Sequence, residues 1–122
     1  MAAQLYLYQD EESHAPLLRW LDGLPTKARG KCVARIARLV ELGNELRRPE
    51  ADYLRDGIYE LRASYQGVHY RMLYFFSGKA VVVLSHGLTK EQHVPKGEID
   101  KALDRKRRVE TDFTRYTLKP EF

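Results

Sequence analysis

Three cations sit inside the most apolar and aromatic stretch of the chain, "YELRASYQGVHYRMLYFFSGKAVVVLSHGLTK" at 59–90. They are Arg62, Arg71 and Lys90. Converging cations bind phosphate, and a guanidinium does so through a two-pronged fork. Ion pairing is the competing role, because Glu60 or Glu91 could neutralise an arginine. His93, in the loop "TKEQHVP" beside Lys90, could exchange a proton, or could simply be a solvated histidine. His86 and His93 could ligate a metal, but no Cys or carboxylate stands at ligand spacing beside them, so no metal site is expected. Ser64, Ser77 and Ser85 lack an evident His–Asp partner, which leaves a serine hydrolase unsupported. No GxxxxGK[ST] or GxGxxG loop is present. Tyr116 could stack on a base. The run "KALDRKRR" (101–108), which contains Arg105, would extend a basic surface begun by the arginines.

The surrounding pattern predicts how these residues are positioned. "QLYLYQD" (4–10) alternates as a short first strand. "SHAPLLRWLDGL" (13–24) reads as a short helix capped by Ser13, with Pro16 in its first turn and Gly23 at its end. Pro25 opens a longer helix to Gly43, with Ala28, Cys32, Val33, Ile36, Leu39 and Val40 at three- and four-residue steps. Residues 44–57 read as an irregular connection ending in an Asp-Gly turn. "IYELRAS" (58–64), "VHYRMLYFF" (68–76) and "AVVVLSHGL" (80–88) are three strands joined by short turns, an antiparallel meander. Tyr59, Leu61 and Ala63 share one face of the first, with Glu60, Arg62 and Ser64 on the other. Pro95 opens a last helix to 110, with Glu98 in its first turn and basic residues in its last. The tail 111–122 reads as flexible, or as a short strand or docking segment.

The order β-α-α-β-β-β-α segregates helices from strands and argues for an α+β fold around an antiparallel sheet. The helices are expected to cover one face and leave the other partly open. At 122 residues the chain fits a single domain, 1–122, that needs neither disulfide nor metal to fold. Its one cysteine, Cys32, suits a reducing compartment and is most simply core. No apolar run approaches the ~20 residues that span a membrane, and the first residues do not read as a secretory signal. The net charge is +4 and unevenly placed. Residues 1–61 hold 9 Lys/Arg against 10 Asp/Glu, whereas 62–122 hold 12 against 7. A basic half on a near-neutral protein points to an anionic partner, nucleic acid first.

"LRDGIYELR" (54–62), "VHYRMLYFF" (68–76) and "VVVLSHGLTKEQHVPKGEIDKAL" (81–103) together resemble the RelE/ParE toxin superfamily, and within it the HigB-like, phage-derived branch. The resemblance covers residues 4–108. It implies a compact RelE-like fold, with a small twisted antiparallel sheet, two N-terminal helices packed on one face and a C-terminal helix. It also implies the toxin of a type II toxin–antitoxin module. Many RelE- and HigB-like members cut mRNA in the ribosomal A site by attack of a 2′-hydroxyl on the adjacent phosphate, with no metal or other cofactor. By this resemblance Arg62, Arg71 and Lys90 match the catalytic cations, and Lys96, His93 and Arg105 are candidate RNA contacts. Relatives often carry paired lysines where this chain has Lys90-Glu91. The implied partners are a cognate antitoxin, expected to carry a helix-turn-helix domain, and mRNA on the ribosome in the cytoplasm. Two rivals share the fold: a ParE-type inhibitor of DNA gyrase without catalysis, and a degenerate protein that only binds RNA or an antitoxin.

Overall fold

A computed structural model describes residues 1–89 and 92–122; Lys90 and Glu91, both named above, lie outside the described residues. The chain forms an α+β sandwich around one six-stranded sheet. In chain order the elements are β1 (Gln4–Tyr8), α1 (Pro16–Asp22), α2 (Thr26–Leu42), β2 (Ala51–Arg55), β3 (Ile58–Tyr65), β4 (Val68–Ser77), β5 (Val81–Thr89), α3 (Lys96–Thr111), α4 (Phe113–Tyr116) and β6 (Thr117–Leu118). The strand order is β2-β3-β4-β5-β1-β6.

The meander forms as its pattern predicts. β3 pairs with β4, and β4 with β5, antiparallel. The turn between β2 and β3 is built on Asp56 and Gly57, both with positive φ, the conformation that suits the twist of a tight hairpin and that glycine adopts without steric cost. Around this meander the structure departs from expectation. The segment read as an irregular connection contains β2, which pairs antiparallel with β3 and forms one edge of the sheet. The sheet is mixed, because β1 lies parallel to β5. A parallel neighbour needs a long crossover, which here is the whole helical and meander segment between them.

Neither face is left open. Leu17, Leu21, Ala28, Cys32, Ile36 and Leu39 of α1 and α2 pack on Leu61, Met72, Tyr74, Val82 and Leu84 of the sheet. Ile99, Ala102 and Val109 of α3 pack on Ile58, Leu73, Phe75 and Val83 of the opposite face. The meander strands are therefore apolar on both sides, and this double burial explains their near-continuous hydrophobic runs. Each fully buried aliphatic or aromatic side chain contributes roughly 1.5–3 kcal/mol. Tyr70 and Tyr74 share the α1/α2 face, against Trp20 and Tyr59 respectively.

One local expectation changes, and for the tail the short-strand reading is the one the structure shows. Ser13 does not cap α1; it has positive φ in the preceding loop, and the helix starts after Ala15 without a side-chain cap. Residues 113–118 form α4 and β6, with β6 pairing antiparallel to β1. Asp112 caps α4 by accepting the Arg115 backbone N–H at 3.2 Å. Phe113 meets Tyr6 edge-on and Tyr116 stacks on Tyr8, so this segment is anchored by two aromatic contacts.

Candidate functional site

β3 and β4 position the arginines. Their register sets Arg62 directly opposite Arg71, on the α3 side of the sheet. Two guanidiniums directly opposite on a ladder repel, and Glu60 resolves the conflict. Its side chain is 4% exposed, and its Oε1 accepts from Arg62 Nε at 3.0 Å and from Arg71 Nη1. Arg71 Nη2 donates to the Gln92 carbonyl at 2.6 Å, which ties the strand to the loop before α3. Arg62 Nη2 reaches Asp52 Oδ2 on β2 at 3.2 Å, and the same oxygen accepts from Arg48 at 2.8 Å. The hydrogen bond from Arg48 is the main cause holding the Asp52 carboxyl below its ordinary range. Among the described residues, the guanidiniums of Arg48, Arg62 and Arg71 share the carboxylates of Asp52 and Glu60.

A cleft of about 310 Å³ opens over this cluster, lined by Arg62, Ala63, His69, Tyr70, Arg71 and Gln92. Arg71 is mostly buried, its side chain 11% exposed, whereas Arg62 is 35% exposed. Arg62 is thus the cation more open to a ligand. His69 stands two residues before Arg71 on the same strand face and is exposed. It also lines an adjoining cleft with Arg35, Pro49 and Ser64. An imidazole beside paired guanidiniums can give or take a proton next to a bound phosphate. The strand spacing of His69 and Arg71 was the signal for it. Glu60 was read as a possible neutraliser, but its place between both arginines follows from register, which sequence alone does not fix.

The family model described as "Phage derived protein Gp49-like (DUF891)" matches residues 19–107, from within α1 to within α3. The chain belongs to the Gp49-like phage-derived protein family. That family is RelE/toxin-like, and membership is consistent with the toxin of a toxin–antitoxin system. A search among curated proteins finds no match to the chain.

The other expected site residues of this Gp49-like protein are spread out. His93 is exposed in the loop after Gln92, next to the Arg71 anchor. Lys96, at the start of α3, pairs with Asp100 at 2.9 Å and points to solvent. Asp100 also accepts from Arg55 at 2.6 Å, and these hydrogen bonds, Lys96 first, lower its carboxyl pKa. Arg105 belongs to a different region, over the Tyr8 ring at 4.9 Å and 3.4 Å from Ser85 Oγ.

Ser85 has a partner after all. A bulge in β5 lets Leu73 pair with His86 and Tyr74 with Leu84, so Ser85 is the extra residue and both Ser85 and His86 reach the α3 side. Ser85 Oγ lies 2.7 Å from His86 Nδ1, and His86 Nε2 lies 3.0 Å from Glu98 Oε1. Glu98 accepts only, which assigns the ring proton to Nε2 and leaves Nδ1 to accept from the serine. Burial, then the Arg105 charge, pushes the His86 pKa below the ordinary imidazole range. Ser85 is fully buried, so this chain of groups locks α3 to the sheet and offers no nucleophile to a substrate. Cys32 is also buried, its thiol pKa raised to about 11. Among the described residues no group of three His, Cys, Asp or Glu side chains is placed to hold a metal, and no helix is long and apolar enough to cross a membrane.

Proposed function

We propose that this protein is the toxin of a type II toxin–antitoxin module and acts as a ribosome-dependent endoribonuclease. The observation that carries the reading is the pair Arg62 and Arg71, registered opposite one another, held by Glu60 and facing a cleft beside His69. The scissile phosphate sits against the guanidinium edges. The 2′-hydroxyl attacks phosphorus, the P–O5′ bond breaks, and the products are a 2′,3′-cyclic phosphate and a 5′-hydroxyl end. The arginines stabilise the charge that builds on the phosphorane oxygens. His69, which lines the cleft, and His93, which follows the lining residue Gln92, are the candidates for moving the two protons, one off the 2′-hydroxyl and one onto the leaving oxygen. Lys90 is retained as a third cation or base, and Lys96 as an RNA contact at the rim. The pairs to Glu60 do not argue against this role, since fixed guanidiniums lose less entropy when they bind.

A free nuclease of this kind acts in the cytoplasm and needs a neutralising partner. We assign that role to a helix-turn-helix antitoxin whose contact surface is acidic where it covers Arg62. The test is a purified translation system run beside a gyrase supercoiling assay. The expected result is arrested protein synthesis with supercoiling unchanged. Blocked supercoiling with translation intact would point to the gyrase-inhibitor rival, and no effect on either to the degenerate one; both contradict the nuclease.

A further inference from the structure

β1 and β5 are parallel neighbours. From its carboxyl end β1 leads to α1 on one face of the sheet, and β5 leads to α3 on the other. Adjacent parallel strands whose helices leave to opposite faces open a crevice beyond their carboxyl ends, and open sheets bind ligands there. Here β1 ends at Tyr8, while β5 runs on to Thr89. A cavity of about 360 Å³ lies in this region, with Asp10, His14, Pro16, Arg19, Trp20 and Arg105 in its walls.

The wall chemistry has a definite bias. Arg105 is half-buried and has no carboxylate within ion-pair distance among the described residues; its contacts are the Tyr8 ring and the long 3.4 Å approach to Ser85 Oγ. A desolvated guanidinium ordinarily has a counter-charge. Arg19, across the cavity on α1, is exposed and has no side-chain hydrogen bond or ion pair among the described residues. The one carboxylate of the wall among the described residues, Asp10, has Oδ1 occupied by the backbone N–H groups of Glu12 and His14, both at 2.9 Å, and Oδ2 3.7 Å from His14 Nδ1. Two arginines and an imidazole therefore face one engaged carboxylate. Trp20 is held in place by its indole N–H, which donates to Thr89 Oγ1 at 3.1 Å, and by its ring lying against Gly87. It supplies an apolar, planar wall beside the cations.

We propose that this crevice is a second anion site, which takes a phosphomonoester carried on a planar heterocycle: a nucleotide, with its phosphate between Arg19 and Arg105 and its ring against the Trp20 side. The inference is independent of the nuclease reading, because none of these residues lines the Arg62–Arg71 cleft, and either can fail alone.

The test follows the one indole N–H signal of the full chain by NMR during titration with a nucleoside 5′-monophosphate, with the unphosphorylated nucleoside and with inorganic phosphate. The expected result is a saturable shift with the monophosphate, binding of inorganic phosphate at least about tenfold weaker, and no shift with the nucleoside. Arg19→Gln and Arg105→Gln each weaken monophosphate binding about tenfold or more, while Arg62→Gln leaves it unchanged. Arg19 is exposed, so its variant keeps the test decisive if Arg105→Gln fails to fold. No saturable shift, or an Arg19→Gln affinity equal to the parent's, overturns the site. Equal binding of inorganic phosphate and nucleotide overturns the heterocycle.

Discussion

Glu60 lets two arginines stand opposite each other on one sheet. Replacing it with glutamine keeps the shape and removes the charge that both guanidiniums share. Arg62 and Arg71 then face each other without the carboxylate that bridges them, while Asp52 still pairs with Arg62. Removing one partner of a buried pair costs ~3–5 kcal/mol, and the partial exposure of Arg62 screens part of that. Glu60→Gln is therefore expected to lower unfolding stability by about 2 kcal/mol or more in urea denaturation, with the loss shrinking in high salt. A change below about 0.5 kcal/mol would show that the pairs contribute little. A second residue-scale expectation concerns His86. Its folded pKa lies below its ordinary 6.5, so the folded protein resists protonation there. The stability it preserves is complete above pH 6.5 and is lost as pH falls from that value towards the folded pKa. Urea midpoints measured from pH 7.5 to 5 should fall, and His86→Gln should flatten that part of the profile.

Among the elements, α1 is held by one unusual contact. A Cβ built on Gly87 would come within 2.2 Å of the Trp20 ring, so the ring rests directly on the β5 backbone. Gly87→Ala is expected to destabilise the fold by ~1–3 kcal/mol and to shift the emission of Trp20, the one tryptophan. Unchanged emission with unchanged stability would contradict that packing. The elements best read from sequence were those with strong periodicity. α2 shows its buried face at Ala28, Cys32, Ile36 and Leu39, and the meander announces itself through "DG" and alternating strands. β2 was missed because Asp52 and Arg55 break its apolar pattern; an edge strand is expected to carry such charges. The β5 bulge was missed because alternation places Ser85 and His86 on opposite faces, and only the pairing shows that both face α3. The meander arginines could be picked out as candidates and His69 shares a strand face with Arg71 by spacing alone, yet the place of Glu60 between both arginines became clear only through register.

At the scale of the whole molecule, α1 and α2 cover one face of the sheet, and the excess positive charge lies in the half of the chain that supplies β4, β5 and α3. The Arg62–Arg71 cleft lies on the α3 side of that sheet, where α3 leaves His69 uncovered. Rigid strands, a fixed charge cluster and an exposed rim suit a site that positions a phosphate rather than one that closes around a small substrate. RNA cleavage is the activity proposed for this cleft. It is tested most directly by mapping mRNA 5′ ends after brief induction of the protein, with Arg71→Ala induced in parallel. Cleavage there predicts new 5′-hydroxyl ends inside translated codons, reduced about 10²–10³-fold by Arg71→Ala in a variant that remains folded. Intact messages in growth-arrested cells, or unchanged cutting by the folded Arg71→Ala variant, would contradict it.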